Sequence, residues 1–107
     1  MNNPRKTRQK GEEQMKVYIA GKITGNPSYK QQFAEAEKKL REKGFTTMSP
    51  AVLPDGFEHQ EYMKICFSMI DVCDAVFFLD NWRDSIGATM EYNYAFEQNK
   101  GIMFEEG

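Results

Sequence analysis

The stretch Ala75-Val76-Phe77-Phe78-Leu79 decides the fold. Its apolar residues follow one another without polar alternation, which is typical of a strand covered on both faces. Such strands lie at the centre of parallel sheets, where helices cross over between successive strands. The stretch therefore predicts an α/β protein.

Strand and helix patterns alternate outward from this stretch in both directions. Strands are predicted at 16–20, 45–48, 75–79 and 102–104, and helices at 26–44, 58–72 and 85–98. Asn26 is the expected N-cap of the first helix, and Met90, Tyr94 and Ala95 are inward candidates on the third. This order predicts a flavodoxin-like, Rossmann-like three-layer sandwich whose parallel strands have the order 2-1-3-4.

Length and composition place the chain among single-domain globular proteins. It has 107 residues, of which 40% are hydrophobic and 28% charged. No apolar run reaches the roughly 20 residues that a membrane span needs, and no signal segment opens the chain. Two cysteines are too few for a disulfide scaffold. We expect a cytoplasmic protein that does not contact membranes.

The first fourteen residues differ from the rest of the chain. They carry four basic and two acidic side chains, a charge of +2, whereas the remainder carries −4. The segment has no large apolar residue after Met1, so residues 1–14 are predicted to be a flexible extension before a domain at 15–107. Contact of this segment with nucleic acid or a partner stays an alternative, although the acidic remainder disfavours a role in coating nucleic acid.

The turn after the first strand, Gly21-Lys22-Ile23-Thr24-Gly25, has the composition of a phosphate-binding loop. Glycines, a lysine, a hydroxyl and free backbone N–H groups near a helix start all favour an anion. Glycines also occur in such turns for steric reasons alone, so both interpretations stay open. In this strand order, ligands bind beyond the carboxyl ends of the first and third strands, where the turn lies.

The third helix begins beside the same crevice. Ser85 is a candidate N-cap, and Gly87 allows a ligand to approach the first turn closely. Glu91 is near enough to the helix start to face the crevice, where a carboxylate can act as nucleophile or base. The alternative is a solvated helix glutamate.

Three segments together resemble a known family. They are Tyr18-Ile19-Ala20-Gly21-Lys22-Ile23-Thr24-Gly25, Cys73-Asp74-Ala75-Val76, and Trp82 followed by Ser85-x-Gly87-Ala88-x-x-Glu91. This combination resembles the DUF4406 domain, which is frequent in phages and bacteria. That family is similar to nucleoside 2-deoxyribosyltransferases and to deoxynucleoside 5′-monophosphate N-glycosidases. The resemblance covers residues 15 to about 105.

The resemblance implies roles for the crevice residues. Glu91 matches the glutamate that attacks the anomeric carbon and forms a glycosyl-enzyme, as in retaining glycosidases. Tyr18 matches a tyrosine that holds the nucleophile or sugar, with a core tyrosine as the alternative. The residues implied to bind substrate, mainly its 5′-phosphate, are Gly21, Lys22, Thr24, Ser85 and Gly87. No metal or other cofactor is implied.

One position departs from the superfamily pattern. An aspartate that assists departure of the base commonly lies eight residues before the aspartate matching Asp74, and here that position is Cys66. A thiol is a poor substitute for a carboxylic acid, so activation of the leaving group is in doubt. Packing is the simpler role for Cys66.

Two further residues have open interpretations. Trp82 either stacks on a nucleobase or packs over the third helix, and His59 is expected to be exposed rather than a ligand or base. Two functions follow: cleavage or transfer of an N-glycosidic bond of a nucleoside or nucleoside 5′-monophosphate, or nucleotide binding without catalysis. Because a small chain forms a shallow pocket, we also expect a homodimer or larger homo-oligomer, with the exposed face of the second or third helix as the contact.

Overall fold

A computed structural model describes residues 15–106 of the chain. The extension predicted at residues 1–14 lies outside this range. Within it the strands are β1 (Lys16–Ala20), β2 (Thr46–Met48), β3 (Ala75–Phe78) and β4 (Gly101–Phe104). The helices are α1 (Tyr29–Glu42), α2 (His59–Asp71) and α3 (Ile86–Glu97), and short 3₁₀ turns occur at Pro50–Val52 and Trp82–Asp84.

The strands form one parallel sheet in the order β2-β1-β3-β4, which confirms the predicted topology. β1 and β3 are the central strands, and Tyr18 of β1 lies opposite Met48 on one side and Val76 on the other. The order reverses between β1 and β3, so their carboxyl ends open a crevice at that edge of the sheet.

Helices cover both faces of the sheet. α1 packs on one face with Phe33, Ala36 and Leu40, whereas α2 and α3 pack on the other. Burial of each large apolar side chain in these layers contributes about 1.5–3 kcal/mol. No helix within residues 15–106 is long and apolar enough to cross a bilayer.

α1 begins later than the sequence predicts. Its first helical residue is Tyr29 rather than Pro27, because Asn26 holds a separate turn ahead of the helix. The Tyr29 N–H donates to the Asn26 carbonyl at 3.1 Å, and the Asn26 amide donates to the Lys22 carbonyl at 2.9 Å. The helix ends at Glu42, and Gly44 follows with φ +98°, a conformation that favours glycine.

α3 presents a different face to the core from the one predicted. Its buried positions are Ala88, Glu91 and Ala95, which share one side of the helix. Met90, predicted to face inward, is 39% exposed because it lies about 100° around the helix from Glu91. Ala95 is buried as predicted and Tyr94 is half-buried.

Candidate active site in the crevice

A buried carboxylate lies at the centre of the crevice. Glu91 is 5% exposed although it sits on a helix, because its small neighbours Ala88 and Ala95 let α3 pack closely on the sheet. The start of α3 is fixed by Ser85, whose Oγ accepts a hydrogen bond from the Ala88 N–H at 3.0 Å. Glu91 therefore occupies a position that an apolar residue would fill in a helix without a site.

Tyr18 holds this carboxylate from the sheet. Its hydroxyl donates to Glu91 Oε2 at 2.7 Å, and its side chain is fully buried in the centre of β1. Burial, and then the charge of Glu91, keeps the pKa of Tyr18 well above its usual value. The hydroxyl therefore stays protonated and serves as a permanent donor to the carboxylate.

Burial raises the pKa of Glu91 from its ordinary value of 4.5 to about 7, because the charged form loses hydration. Hydrogen bonds from Tyr18 and then Cys66 act in the opposite direction, since they favour the carboxylate. The group therefore titrates near neutral pH, which suits a residue that reacts as a carboxylate.

Cys66 of α2 lies beside the Tyr18 hydroxyl and the Glu91 carboxylate. Burial raises the pKa of this thiol to about 12, and the charge of Glu91 adds to the effect. Cys66 therefore remains a neutral thiol at physiological pH and is neither a reactive thiolate nor a good acid.

Glu91 and Cys66 face a cavity of about 270 Å³ at the carboxyl ends of β1 and β3. The cavity is open to solvent on one side. Of the residues predicted to bind or react with substrate, Gly21, Thr24, Ser85, Gly87 and Glu91 line it. Residues from the other loops and helices complete the lining: Ile23, Tyr29, Pro50, Leu53, Pro54, Asp55, His59, Tyr62, Met63, Cys66 and Ala88.

One wall of the cavity is a single face of α2. His59, Tyr62, Met63 and Cys66 are spaced three, four and seven residues apart, so they lie on one side of the helix. Seven residues correspond to roughly 10 Å along a helix, so this face extends from the helix start to Cys66 beside Glu91. This length suits a ligand of nucleoside size.

Gly87 opens the wall formed by the first turn of α3. A Cβ at this position would lie 3.5 Å from Met63 Sδ, 3.7 Å from His59 Cε1 and 3.9 Å from Ser85 Oγ. These are ordinary contact distances, so glycine is not required for packing. The missing side chain instead leaves room beside the start of α3, where backbone N–H groups favour an anion.

Glycine is required at position 21 for a steric reason. A Cβ there would lie 2.6 Å from Leu79 Cδ1 and 3.0 Å from Leu79 Cβ and Cγ. Leu79 is fully buried and cannot move aside, so only glycine fits where the two central strands end. The steric interpretation of this glycine therefore holds, and its backbone still forms part of the cavity lining.

Lys22 does not line the cavity, although the sequence predicted a phosphate contact. Its backbone N–H is not free, because it donates to Asn81 Oδ1 at 3.1 Å. Its side chain runs along the loop, with Cε 3.7 Å from the position of a Cβ on Gly25. This hydrogen bond therefore joins the loop after β1, which contains Lys22, to the loop after β3. Thr24 is the polar side chain of the loop after β1 that lines the cavity.

Trp82 is also not among the residues that line the cavity. Its ring stacks on Tyr92 with centroids 4.9 Å apart and on Phe104 at 5.9 Å, and it lies tilted against Phe78 at 5.1 Å. The guanidinium of Arg83 lies 5.1 Å from the ring centroid. Trp82 therefore packs between β3, β4 and α3.

Several residues that line the cavity were not predicted from the sequence. His59 is exposed as expected, but it also lines the cavity, and Tyr29 and Asp55 were not singled out. Tyr29 stands at helical spacing before the apolar residues of α1, a pattern typical of a core position, and Asp55 lies in a loop without a periodic pattern. The position of Tyr29 at the helix start, beside the strand-one turn, was the available signal.

Three other acidic side chains, those of Asp71, Asp74 and Asp80, lie away from the cavity lining. Asp74 accepts the Lys16 N–H at 2.8 Å and so orients the backbone at the start of β1. Asp71 accepts the Tyr94 hydroxyl at 2.5 Å, and the Asp80 N–H is bound by Glu105. Within residues 15–106, no three histidine, cysteine or acidic side chains are grouped so as to hold a metal ion.

Comparison with known families gives a match over most of the chain. The family described as "Domain of unknown function (DUF4406)" matches residues 15–104. The match includes every element of the sheet and every cavity-lining residue. No curated protein sequence matches the chain.

Comparison with solved structures gives the fold. A structure described as "2-desoxiribosyltransferase from Leishmania mexicana" superimposes with a TM-score of 0.67 and 18% sequence identity. The alignment covers 84% of this chain and 63% of that one, so this chain spans less than two thirds of the length of its neighbour. The four-stranded parallel architecture is shared with that protein.

Proposed function

The chain belongs to the DUF4406 family, a domain of unknown function, and we propose that it cleaves or transfers the N-glycosidic bond of a nucleoside or nucleoside 5′-monophosphate. One observation carries the proposal: a buried carboxylate, Glu91, is held by the Tyr18 hydroxyl at the wall of a nucleoside-sized cavity. The deoxyribosyltransferase fold supports it.

The first step in this proposal forms a glycosyl-enzyme. A Glu91 oxygen attacks C1′ of the sugar while the bond between C1′ and the base nitrogen breaks, and the base leaves with the bonding electrons. The negative charge of Glu91 stabilises the positive charge that develops on the sugar. Tyr18, hydrogen-bonded to the same carboxylate, keeps it in one orientation during the attack.

The second step releases the enzyme. Water or a second base attacks C1′, the ester bond to Glu91 breaks, the carboxylate is restored, and the proton that the attacking group loses passes to solvent. Attack by water gives hydrolysis and attack by a base gives transfer. The cavity is open on one side, so it admits either acceptor after the first base has left.

Departure of the base is the weak step in this site. A purine or pyrimidine leaves more easily once it is protonated, and the neutral Cys66 thiol is a poor acid because burial raises its pKa to about 12. Solvent therefore supplies the proton in this proposal. We expect slow turnover compared with a site that has a carboxylic acid at this position.

The start of α3 is the proposed site for a 5′-phosphate. The space at Gly87 lies about one helical turn from Glu91 and Ser85 lies nearly two turns from it, and His59 lies beside Gly87 on the facing helix. Thr24 adds a hydroxyl from the loop after β1. A phosphate here would meet a helix N-terminus and several donors.

Cys66 favours a second candidate function, nucleotide binding without catalysis. The same cavity and phosphate contacts would hold a ligand for sensing or sequestration. This candidate predicts binding without release of free base, whatever the length of incubation.

Base release from a panel of nucleosides and 5′-monophosphates tests the two functions. Wild-type protein is compared with Glu91→Gln, and with Glu97→Gln on the exposed side of the same helix as the matched control. Base release by wild type and by the control, but not by Glu91→Gln, supports the enzyme. Thermal stabilisation by a ligand without release supports the binding function, and neither effect with any ligand contradicts both.

Self-association is a further part of the proposal. Ile86, Met90 and Phe96 of α3 are 77%, 39% and 67% exposed, so the outer side of this helix carries apolar surface. A second copy on this face would cover it, which supports the expected homodimer. We also propose a cytoplasmic location, since Cys66 and Cys73 are both free.

A further inference from the structure

Two aromatic side chains line the cavity within the described residues, Tyr29 and Tyr62. They differ in how their polar and ring surfaces are used. The Tyr62 hydroxyl donates to the Pro54 carbonyl, and its ring makes an edge-to-face contact with Phe57 at 5.8 Å. Tyr62 therefore serves to fix the loop that precedes α2.

Tyr29 is placed differently. It comes from α1, on the opposite face of the sheet from α2 and α3, so it reaches the cavity from across the crevice. Its one ring contact among the described residues is edge-to-face with Phe33, at 6.4 Å and 83°. The side chain also packs on the core cluster around Phe33, but it is only half-buried and lines the cavity, so part of it is accessible to a ligand.

The position of Tyr29 is fixed before any ligand arrives. Its N–H is bound by the Asn26 carbonyl, and the Asn26 amide is bound by Gln32 Oε1 at 2.9 Å. Gln32 also accepts from Asn81 at 3.2 Å, which ties the start of α1 to the loop after β3. These bonds fix the backbone that carries Tyr29, so binding a planar group would have to order only the two side-chain torsions of the tyrosine.

Apolar residues share the cavity lining with Tyr29. Ile23, Pro50 and Leu53 come from the loops after β1 and β2, which also contribute Thr24 and Asp55, and Ile23 packs on the same core cluster as Tyr29. The polar residues Ser85 and His59 belong to the starts of α3 and α2. The lining thus offers apolar surface suited to a flat, uncharged ring and polar groups suited to an anion.

We propose that Tyr29 is the residue that recognises the nucleobase, by stacking its ring on the base. This inference rests on the proposed function and adds an orientation to it. The base lies toward α1, the sugar lies at Glu91, and the 5′-substituent points to the start of α3. The tryptophan that the sequence offered for this role, Trp82, is occupied by its own aromatic neighbours.

Equilibrium binding to a paired set of ligands tests this assignment. The pair is a deoxynucleoside 5′-monophosphate and 2-deoxyribose 5-phosphate, which lacks the base. Calorimetric titration is carried out on wild type, Tyr29→Phe and Tyr29→Leu. Phe104→Leu is the control, because that side chain is 49% exposed on β4 and does not line the cavity.

Stacking on an aromatic side chain predicts a selective loss. Tyr29→Leu should weaken binding of the monophosphate by about tenfold to a hundredfold, and that of the sugar phosphate by less than about twofold. Tyr29→Phe keeps the ring and should keep both affinities within about twofold. Equal weakening of both ligands, or no weakening of either, would overturn the assignment.

A measurement on the wild-type protein covers the case in which Tyr29→Leu does not fold. Ring current from a stacked tyrosine shifts the base protons of the bound monophosphate upfield in NMR spectra, and this shift should persist in Tyr29→Phe. Bound ligand whose base protons do not shift would refute the stacking. Absence of binding by every base-containing ligand to wild type would instead refute the proposed function, and the inference with it.

Discussion

Replacement of Glu91 by glutamine should stabilise the protein, and the gain should depend on pH. Because burial raises the pKa of Glu91 from 4.5 to about 7, the folded chain holds this proton more tightly than the unfolded chain. The contribution of this group to the free energy of unfolding is therefore fully present below about pH 4.5 and is lost as the pH rises toward 7. Glutamine keeps an acceptor for the Tyr18 hydroxyl and never ionises.

The size of the effect follows from the two pKa values. A pKa difference of roughly 2.5, at about 1.4 kcal/mol for each pKa unit, corresponds to about 3 kcal/mol of folding free energy. Glu91→Gln should exceed wild type by this amount at pH 8 and by little at pH 4.5. In a domain of this size the gain at pH 8 corresponds to an increase of roughly 10 °C or more in Tm.

Urea unfolding of both proteins across pH 4.5 to 8 measures this difference directly. Glu97→Gln, on the exposed side of the same helix, is the control and should change the free energy of unfolding by less than about 0.5 kcal/mol. A constant difference between wild type and Glu91→Gln over this pH range would refute the reasoning. A Glu91→Gln protein that is less stable than wild type at pH 8 would do the same.

Three further predictions concern activity and packing. The kcat/KM for base release should rise about tenfold per pH unit below pH 7 and level off above pH 7, because Glu91 reacts as the carboxylate. Stopped assays across this pH range measure the profile, and a flat profile would count against this role. Gly87→Ala should have a free energy of unfolding equal to that of wild type or up to about 1 kcal/mol higher, but should bind monophosphates more weakly. Gly21→Ala should lose about 1–3 kcal/mol of stability through its clash with Leu79. Denaturant titration measures the stabilities and calorimetry the binding, and a Gly87→Ala protein less stable than Gly21→Ala would contradict this prediction. Cys66→Asp should raise the rate of base release, because a carboxyl group beside Glu91 retains a proton to give to the leaving base; unchanged or slower release would disprove the account of the missing acid.

The architecture could be predicted from the sequence because its central strand is encoded locally. The run ending at Leu79 is too apolar for a strand with a solvent face, and α1 and α2 have clear apolar faces. Strand order then followed from the rules for parallel crossovers. The predicted start of α1 was wrong by two residues, because the Asn26 side chain hydrogen-bonds the preceding loop. Sequence periodicity does not report a contact of this kind.

The candidate site was predictable where one element alone places the side chain. Glu91 and Ser85 lie on one helix at a fixed spacing, so their positions followed once the helix start was known. The positions of Lys22 and Trp82 outside the cavity lining could not be predicted, because long-range contacts determine them: Asn81 Oδ1 accepts the Lys22 N–H, and aromatic rings surround Trp82. Tyr29 was missed because its place in the cavity depends on α1 crossing to the other face of the sheet.

The central claim is that Glu91 forms a covalent bond to the sugar, and mass spectrometry of acid-quenched enzyme tests it most directly. Wild-type protein is mixed with the best substrate of the panel, quenched within the first turnover and digested. The account predicts a glycosyl adduct on the peptide containing Glu91, at the carboxylate itself, and none in Glu91→Gln. Base release by wild type with no adduct, or with an adduct on another residue, would contradict it.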